Sequence, residues 1–148
     1  MNTVKTVLAS KGSQVWTVSP EASVYDALTV MAGKDIGAVV VTAPDGSIVG
    51  ILSERDYARK IVLQGKVSKT TRVKEIMTAS PFCVRPDTTV DQCMAIMTDK
   101  RLRHLPVQEK NKLVGLISIG DLVKSVIADQ RDLIKNLESY ISGSPGVP

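Results

Sequence analysis

The chain of 148 residues runs through one pattern of apolar, turn and capping residues and then runs through it again. Val18 and Val84 stand 66 positions apart, and Pro20/Pro86, Val24/Val90, Met31/Met97 and Val41/Val107 keep that offset. From Gly50/Gly115 onward the offset is 65, held by Ser53/Ser118 and Asp56/Asp121. The lead-ins also correspond, VKTVL at 4–8 against VKEIM at 73–77. A repeat constrains the fold more than any single motif, because both copies must form the same unit and cover each other's apolar faces. The offset changes where loops are expected, and there insertions cost little.

Each unit reads alike. An extended piece, VWTVSP (15–20) or FCVRP (82–86), ends at proline. A helix follows, with Val24, Ala27, Leu28 and Met31, or Val90, Cys93, Met94 and Met97, at i, i+3, i+4, i+7. Ser23 and Thr89 are natural N-caps. Then come IGAVVV (36–41) or LRHLPV (102–107), a turn at APDG (43–46) or EKNK (109–112), and a second strand, SIVGIL or KLVGLI. A second helix begins near Ser53 or Ser118. The order is β-α-β-β-α, twice, a mixed α/β (α+β) fold. One such unit buries too little apolar surface to stand comfortably alone. Two packed about a pseudo-two-fold axis solve this and leave clefts between them, where ligands tend to bind. The division expected is 1–70 for the first repeat with its lead-in and 71–142 for the second with a C-terminal helix. That helix is read from the stripe Val126, Ile127, Leu133, Ile134, Leu137, Tyr140 and Ile141, and it either caps the fold or pairs with a second subunit. The final GSPGVP (143–148) reads as a flexible tail.

Aromatics are 3% of a chain that is 43% apolar, so aliphatic side chains must build the core. No apolar run approaches the ~20 residues that span a bilayer, and MNTVKTVLASKG is too weakly apolar for a signal peptide. A soluble, cytoplasmic protein without membrane contact is expected. Cys83 and Cys93 make no disulfide framework. With one His and two separated Cys, no metal site is expected. The net charge of +4 draws on GKVSKTTRVK (65–74) and DKRLRH (99–104). No DNA-reading motif accompanies it, so no nucleic-acid partner is expected. A small anionic ligand suits the charge better, if the cations converge.

The phrases GILSERD (50–56) and GLISIGD (115–121) admit two readings. Ser-x-x-Asp is a capping-box variant, with the acid at the positive end of the helix dipole. Ser23 and Asp26 have the same spacing at another helix start, which supports that reading. The second reading is a ligand site. Gly50 or Gly115 near a strand end lets a ligand come close, and a helix N-terminus leaving a strand attracts anions. A carboxylate accepts from both hydroxyls of a ribose. Ser53/Asp56 and Ser118/Asp121 thus supply the parts of a nucleoside phosphate site.

Together with VKEIMT (73–78) and RHLPV (103–107), these phrases resemble tandem CBS domains, the regulatory repeats named after cystathionine β-synthase. The nearest resemblance is to small free-standing bacterial CBS-pair proteins, down to SIGDLVK (118–124) and LESYISG (137–143), and it covers about residues 4–142. It implies the same β-α-β-β-α repeats and adenosine ligands (AMP, ADP, ATP, S-adenosylmethionine or NAD) in the clefts. Carried over, Asp56 and Asp121 bind ribose hydroxyls, and Ser53 and Ser118 contact ribose or phosphate. Backbone at Val15, Thr17 and Val18, at Phe82, Cys83 and Val84, at Ile36, Gly37 and Ala38, and at Leu102–His104 flanks adenine. Basic residues of the RLRHLP strand touch phosphates, Arg103 and His104 ahead of Arg101, with Pro106 beside them. Alternation along that strand puts Arg101 and Arg103 on one face and His104 on the other. Read without the resemblance, they are edge charges that discourage aggregation. In repeat one Asp35, Gly37 and Ala38 take the aligned positions, so Arg55 and Arg59 are the phosphate candidates there. Arg59, Lys60 and Lys124 also read as an ordinary exposed helix face.

The leading expectation is a ligand sensor: AMP, ATP or NAD bound between the repeats, a homodimer, and a signal to an effector protein that this chain does not contain. No catalytic cofactor is expected, since no Walker loop, Gly-x-Gly-x-x-Gly or triad occurs. A structural adaptor with unliganded sites and, behind it, a nucleotide-processing enzyme are the alternatives.

Overall fold

The structure is a computed structural model, which describes residues 2–142; the GSPGVP tail lies outside the described residues. Helix α1 (Val4–Lys11) leads into the first repeat: β1 (Thr17–Val18), α2 (Val24–Lys34), β2 (Ala38–Thr42), β3 (Ile48–Ser53), α3 (Glu54–Tyr57) and a π-helical turn, Ala58–Val62. Helix α4 (Val73–Ile76) and β4 (Thr78–Ala79) lead into the second: α5 (Val90–Lys100), β5 (His104–Glu109), β6 (Lys112–Ser118) and α6 (Ile119–Ile141). The two periodic helices begin where their caps place them. Ser23 Oγ accepts from the Asp26 amide, and Thr89 Oγ1 accepts from the Gln92 amide. They also end alike, at Asp35 (φ 54°) and Arg101 (φ 55°), both left-handed. The next amides, Ile36 and Leu102, close back onto the Met31 and Met97 carbonyls, each at 3.0 Å.

Strands β2 and β3 pair antiparallel from Ala38↔Ser53 to Thr42↔Ile48, with β1 parallel to β2 and β4 antiparallel to β3. Strands β5 and β6 pair antiparallel from His104↔Ser118 to Glu109↔Lys112. The extended piece expected at 82–86 is reduced to one parallel bridge, Val84↔Val107. The helix expected from Ser118 and the apolar stripe after it form one helix of 23 residues, α6. Of its side chains, Leu122 is buried, while Ile119, Val123, Ile127, Leu133, Ile134, Leu137, Tyr140 and Ile141 are exposed. No helix of the described residues is long and apolar enough to cross a membrane.

The two cores exchange their lead-ins. Val24, Ala27, Met31, Val39, Val41, Leu52 and Ile61 of the first repeat pack with Val73 and Ile76, which precede the second. Val84, Val90, Cys93, Met97, Leu105, Val107, Ile117 and Leu122 of the second pack with Val4, Val7 and Leu8, which precede the first. Matching backbone bonds fasten the exchange. Val4 N–H donates to Thr88 O at 2.8 Å and Lys5 N–H to Pro86 O at 2.9 Å; Val73 N–H donates to Ala22 O at 2.8 Å and Lys74 N–H to Pro20 O at 3.0 Å. Burying a Val or Ile side chain is worth about 1.5–3 kcal/mol, so each lead-in contributes substantially to the core it joins.

The repeated glycines serve this packing. A Cβ on Gly50 would lie 2.5 Å from Met77 Sδ, and one on Gly115 would lie 2.8 Å from both Leu8 methyl carbons. The close approach that these glycines permit is that of a lead-in side chain, not the ligand approach read from the sequence.

Candidate functional site

A cavity of about 440 Å³ opens between the repeats. Ile51 and Ser53 of β3, Glu54, Arg55 and Asp56 of α3, and Arg59 and Lys60 of the π-helical turn form one side. The other side is Thr78 of β4, Pro81 and Phe82 after it, and Arg101, Leu102, Arg103 and His104 at the mouth of β5; Gly37 also borders the space. Five guanidinium or ammonium groups thus face two carboxylates, a balance that attracts an anion.

Ser53 and Asp56 form a reciprocal capping box. Ser53 Oγ accepts from the Asp56 amide at 3.2 Å, and Asp56 Oδ2 accepts from the Ser53 amide at 3.0 Å. The other oxygen, Oδ1, meets Lys60 Nζ at 3.1 Å, and that ammonium also donates to Ile76 O at 2.9 Å. Capping and ligand chemistry are therefore compatible: one oxygen holds the helix start and the second stands on the cavity wall. Opposite, His104 is half-buried. Burial pushes its pKa down, the Asp121 carboxylate pulls it up, and the Lys11 and Arg103 charges push it down again, so the result is lowered. The ring is neutral near pH 7.

The second repeat holds its motif in the same way. Ser118 Oγ accepts from the Asp121 amide at 3.1 Å, and Asp121 Oδ2 accepts from the Ser118 amide at 2.8 Å. Here Lys11 Nζ reaches Asp121 Oδ2 at 2.6 Å and also donates to Leu116 O at 2.9 Å. Burial alone would raise the Asp121 carboxyl, but Lys11 and Ser118 outweigh it and hold the pKa below the ordinary value. A second cavity, of about 470 Å³, lies on the outer side between α1 and α6, bordered by Thr6, Ser10, Lys11, Asp121 and Lys124 among others.

Of the residues picked out from the sequence, Ser53, Arg55, Asp56, Arg59, Arg103, His104 and Gly37 share the first cavity. Ser118 and Asp121 occupy the repeat-related position. Ile36 and Ala38 flank Gly37, with Ala38 buried at the start of β2. Val15, Thr17 and Val18 lie in and before the edge strand β1, and Cys83 and Val84 follow Phe82, all outside this lining. Pro106 is buried within β5 opposite Leu116. The alternation read for Arg101, Arg103 and His104 does not apply: β5 begins only at His104, and the left-handed Arg101 turns the chain, so all three residues border the cavity. Sequence reasoning missed Glu54, Ile51, Thr78 and Pro81 and read Lys60 as surface. Glu54 was signalled by its place between Ser53 and Asp56. Thr78 and Pro81 required knowing that β4 crosses to β3.

A sequence model of the CBS domain matches residues 4–63 and 73–128. The mitochondrial CBS domain-containing protein CBSX3 of Arabidopsis thaliana is 40% identical over 150 residues, covering 95% of this chain and 72% of that protein. A protein with CBS domains from Burkholderia ambifaria MC40-6 superposes with a TM-score of 0.84 at 56% identity, over 87% of this chain and 96% of that one. CBSX2, solved in complex with AMP, superposes with a TM-score of 0.72 at 28% identity, over 88% of this chain and 99% of that one. The two matched segments cover more than half of the chain, and the chain belongs to the CBS domain family as a tandem pair.

Proposed function

We propose that the chain is a regulatory module that binds an adenine nucleotide in the Ser53–Asp56 cavity and signals to an effector protein. The observation that carries this reading is the convergence of the Asp56 carboxylate and its neighbour Glu54 with five cations in a single cavity between the repeats. Asp56 Oδ1 accepts from the ribose hydroxyls once Lys60 swings aside, and the released ammonium turns to the phosphates. Arg55, Arg59, Arg101 and Arg103 hold the phosphate charge. Phe82, Leu102 and Ile51 supply apolar wall for the base. The AMP complex of CBSX2 supports this ligand class. Ser53 Oγ and Asp56 Oδ2 are committed to each other and to the helix cap, so the arrangement favours binding over turnover. Closing the repeats on a ligand shifts the population of inter-repeat angles, and that shift is the signal. The exposed apolar side chains of α6 support a homodimer as the unit that transmits it.

The test is thermal unfolding with AMP, ADP, ATP, NAD and S-adenosylmethionine in turn. A ligand at 100 times its Kd adds ~2.7 kcal/mol to the native state, a rise of roughly 5–15 °C in Tm for a chain of this size. The expected result is a rise with adenine nucleotides that Asp56→Ala abolishes. No rise with any of them would make the unliganded adaptor the better reading.

A further inference from the structure

We infer that Lys11 is a built-in occupant of the second aspartate's ligand position, so that each chain takes one nucleotide, in the Ser53–Asp56 cavity. This rests on reading that cavity as a nucleotide site. The two aspartates are held identically by their capping serines, and their surroundings differ because the lead-ins differ. After Met77 the chain turns extended as β4 and leaves the space in front of Asp56 open. After Leu8, at the corresponding point, α1 continues through Lys11. Its ammonium then bonds Asp121 at 2.6 Å and Leu116 O at 2.9 Å.

Asp56 also carries an ammonium, but the two pairs are not equivalent. Lys60 lies one turn along from Asp56, meets it at 3.1 Å, and belongs to the wall of the open cavity. A rotamer change that gives up the bond to Ile76 O frees the carboxylate and keeps the cation in the site. Lys11 comes from a separate helix and ties α1 to both β6 and α6, so freeing Asp121 undoes a contact between elements. A neutral diol must there compete with an ion pair of 2.6 Å, and the charge-assisted bond is the stronger. Nor does the facing strand compensate. Where the first cavity has Arg101, Arg103 and His104, the aligned residues are Asp35, Gly37 and Ala38.

The experiment is equilibrium dialysis with labelled AMP on the whole chain, counting sites. The wild type is expected to bind one AMP per chain, lost in Asp56→Ala. Lys11→Met is expected to add a second, weaker class of site, with a Kd at least tenfold above the first, and Lys11→Met/Asp121→Asn to remove it again. Lys11→Gln is run beside Lys11→Met, so that a folding defect of one variant does not decide the outcome. Two sites in the wild type, one of them lost in Asp121→Asn, would overturn the inference and leave the cavity reading intact. So would a single site in both Lys11 variants. No AMP bound by the wild type or by either Lys11 variant would remove the nucleotide reading itself, and this inference with it.

Discussion

In the first repeat the motif aspartate stands on the wall of an open, cation-rich cavity; in the second, the same aspartate in the same capping box is covered by an ammonium from another helix. Local chemistry is shared down to the hydrogen bonds. The difference lies in what a distant segment brings: an extended strand to the first, three more residues of helix to the second. A motif therefore specifies how a side chain is held, while long-range packing specifies what it can meet.

The cores offer the strongest way to break this comparison. Leu52 and Ile117 are aligned and both fully buried. Leu52→Ala and Ile117→Ala should each cost about 2–5 kcal/mol, and both variants should still unfold in one transition, because each core contains part of the other repeat. Denaturant unfolding followed at two wavelengths checks this; a separate transition for one repeat would show the cores to be independent.

A smaller effect sharpens the contrast between the lead-ins. Alanine at Gly50 meets Met77 Sδ and also the Thr78 carbonyl at 3.1 Å, which is backbone held by β4 pairing. Alanine at Gly115 meets only the movable tip of Leu8. Overpacking costs about 1–3 kcal/mol, with Gly50→Ala expected near the upper end and Gly115→Ala near the lower. Equal losses of stability would mean that the two strands are free to move alike.

The smallest effect is in pH. The folded pKa of His104 lies below its unfolded value, so the unfolded chain binds the proton more readily. Stability from this site is complete above the unfolded value of about 6.5 and is lost as pH falls through that value toward the folded one. Asp121 is also depressed, so its contribution is present above about 3.9 and is lost as pH falls through the folded value. Unfolding free energies from pH 8 to pH 3 should show a shallow step below about 6.5 that His104→Gln removes and an acid step that Lys11→Met reduces. A nucleotide phosphate beside His104 favours the imidazolium, so affinity should rise from pH 8 to pH 6.

Much of this was legible in the residues. The i, i+3, i+4, i+7 stripes, Ser23 and Thr89 as caps, and the doubled order of elements are local signals, and α2, α5 and the paired strands stand where those signals put them. Ser53 and Asp56 were legible as a pair because the capping box that joins them is set by a short local spacing. What escaped depended on partners far along the chain. VKTVL and VKEIM look alike, yet nothing in either says that it joins the other repeat's core. Arg101 looked like a strand residue because its left-handed conformation follows from how α5 ends. Lys60 and Lys11 are ordinary surface lysines until the fold places an aspartate in front of each.

The exchange of lead-ins also bears on how the chain acquires its structure. The two cores differ in this: 24–61 is completed by 73–76 just beyond it, whereas residues 4–8 must wait for 84–122. The bonds from Val4 to Thr88 and from Val90 to Asn2 close a loop longer than half the chain. Closing such a loop precedes the contacts that reward it, which slows folding relative to a fold of local contacts. A polypeptide emerging from the ribosome would therefore hold its first segment unpaired until nearly all the second repeat had been made. Cutting the chain at 64–70 would yield two fragments that each lack part of a core, and mixing them would restore both cores together or neither.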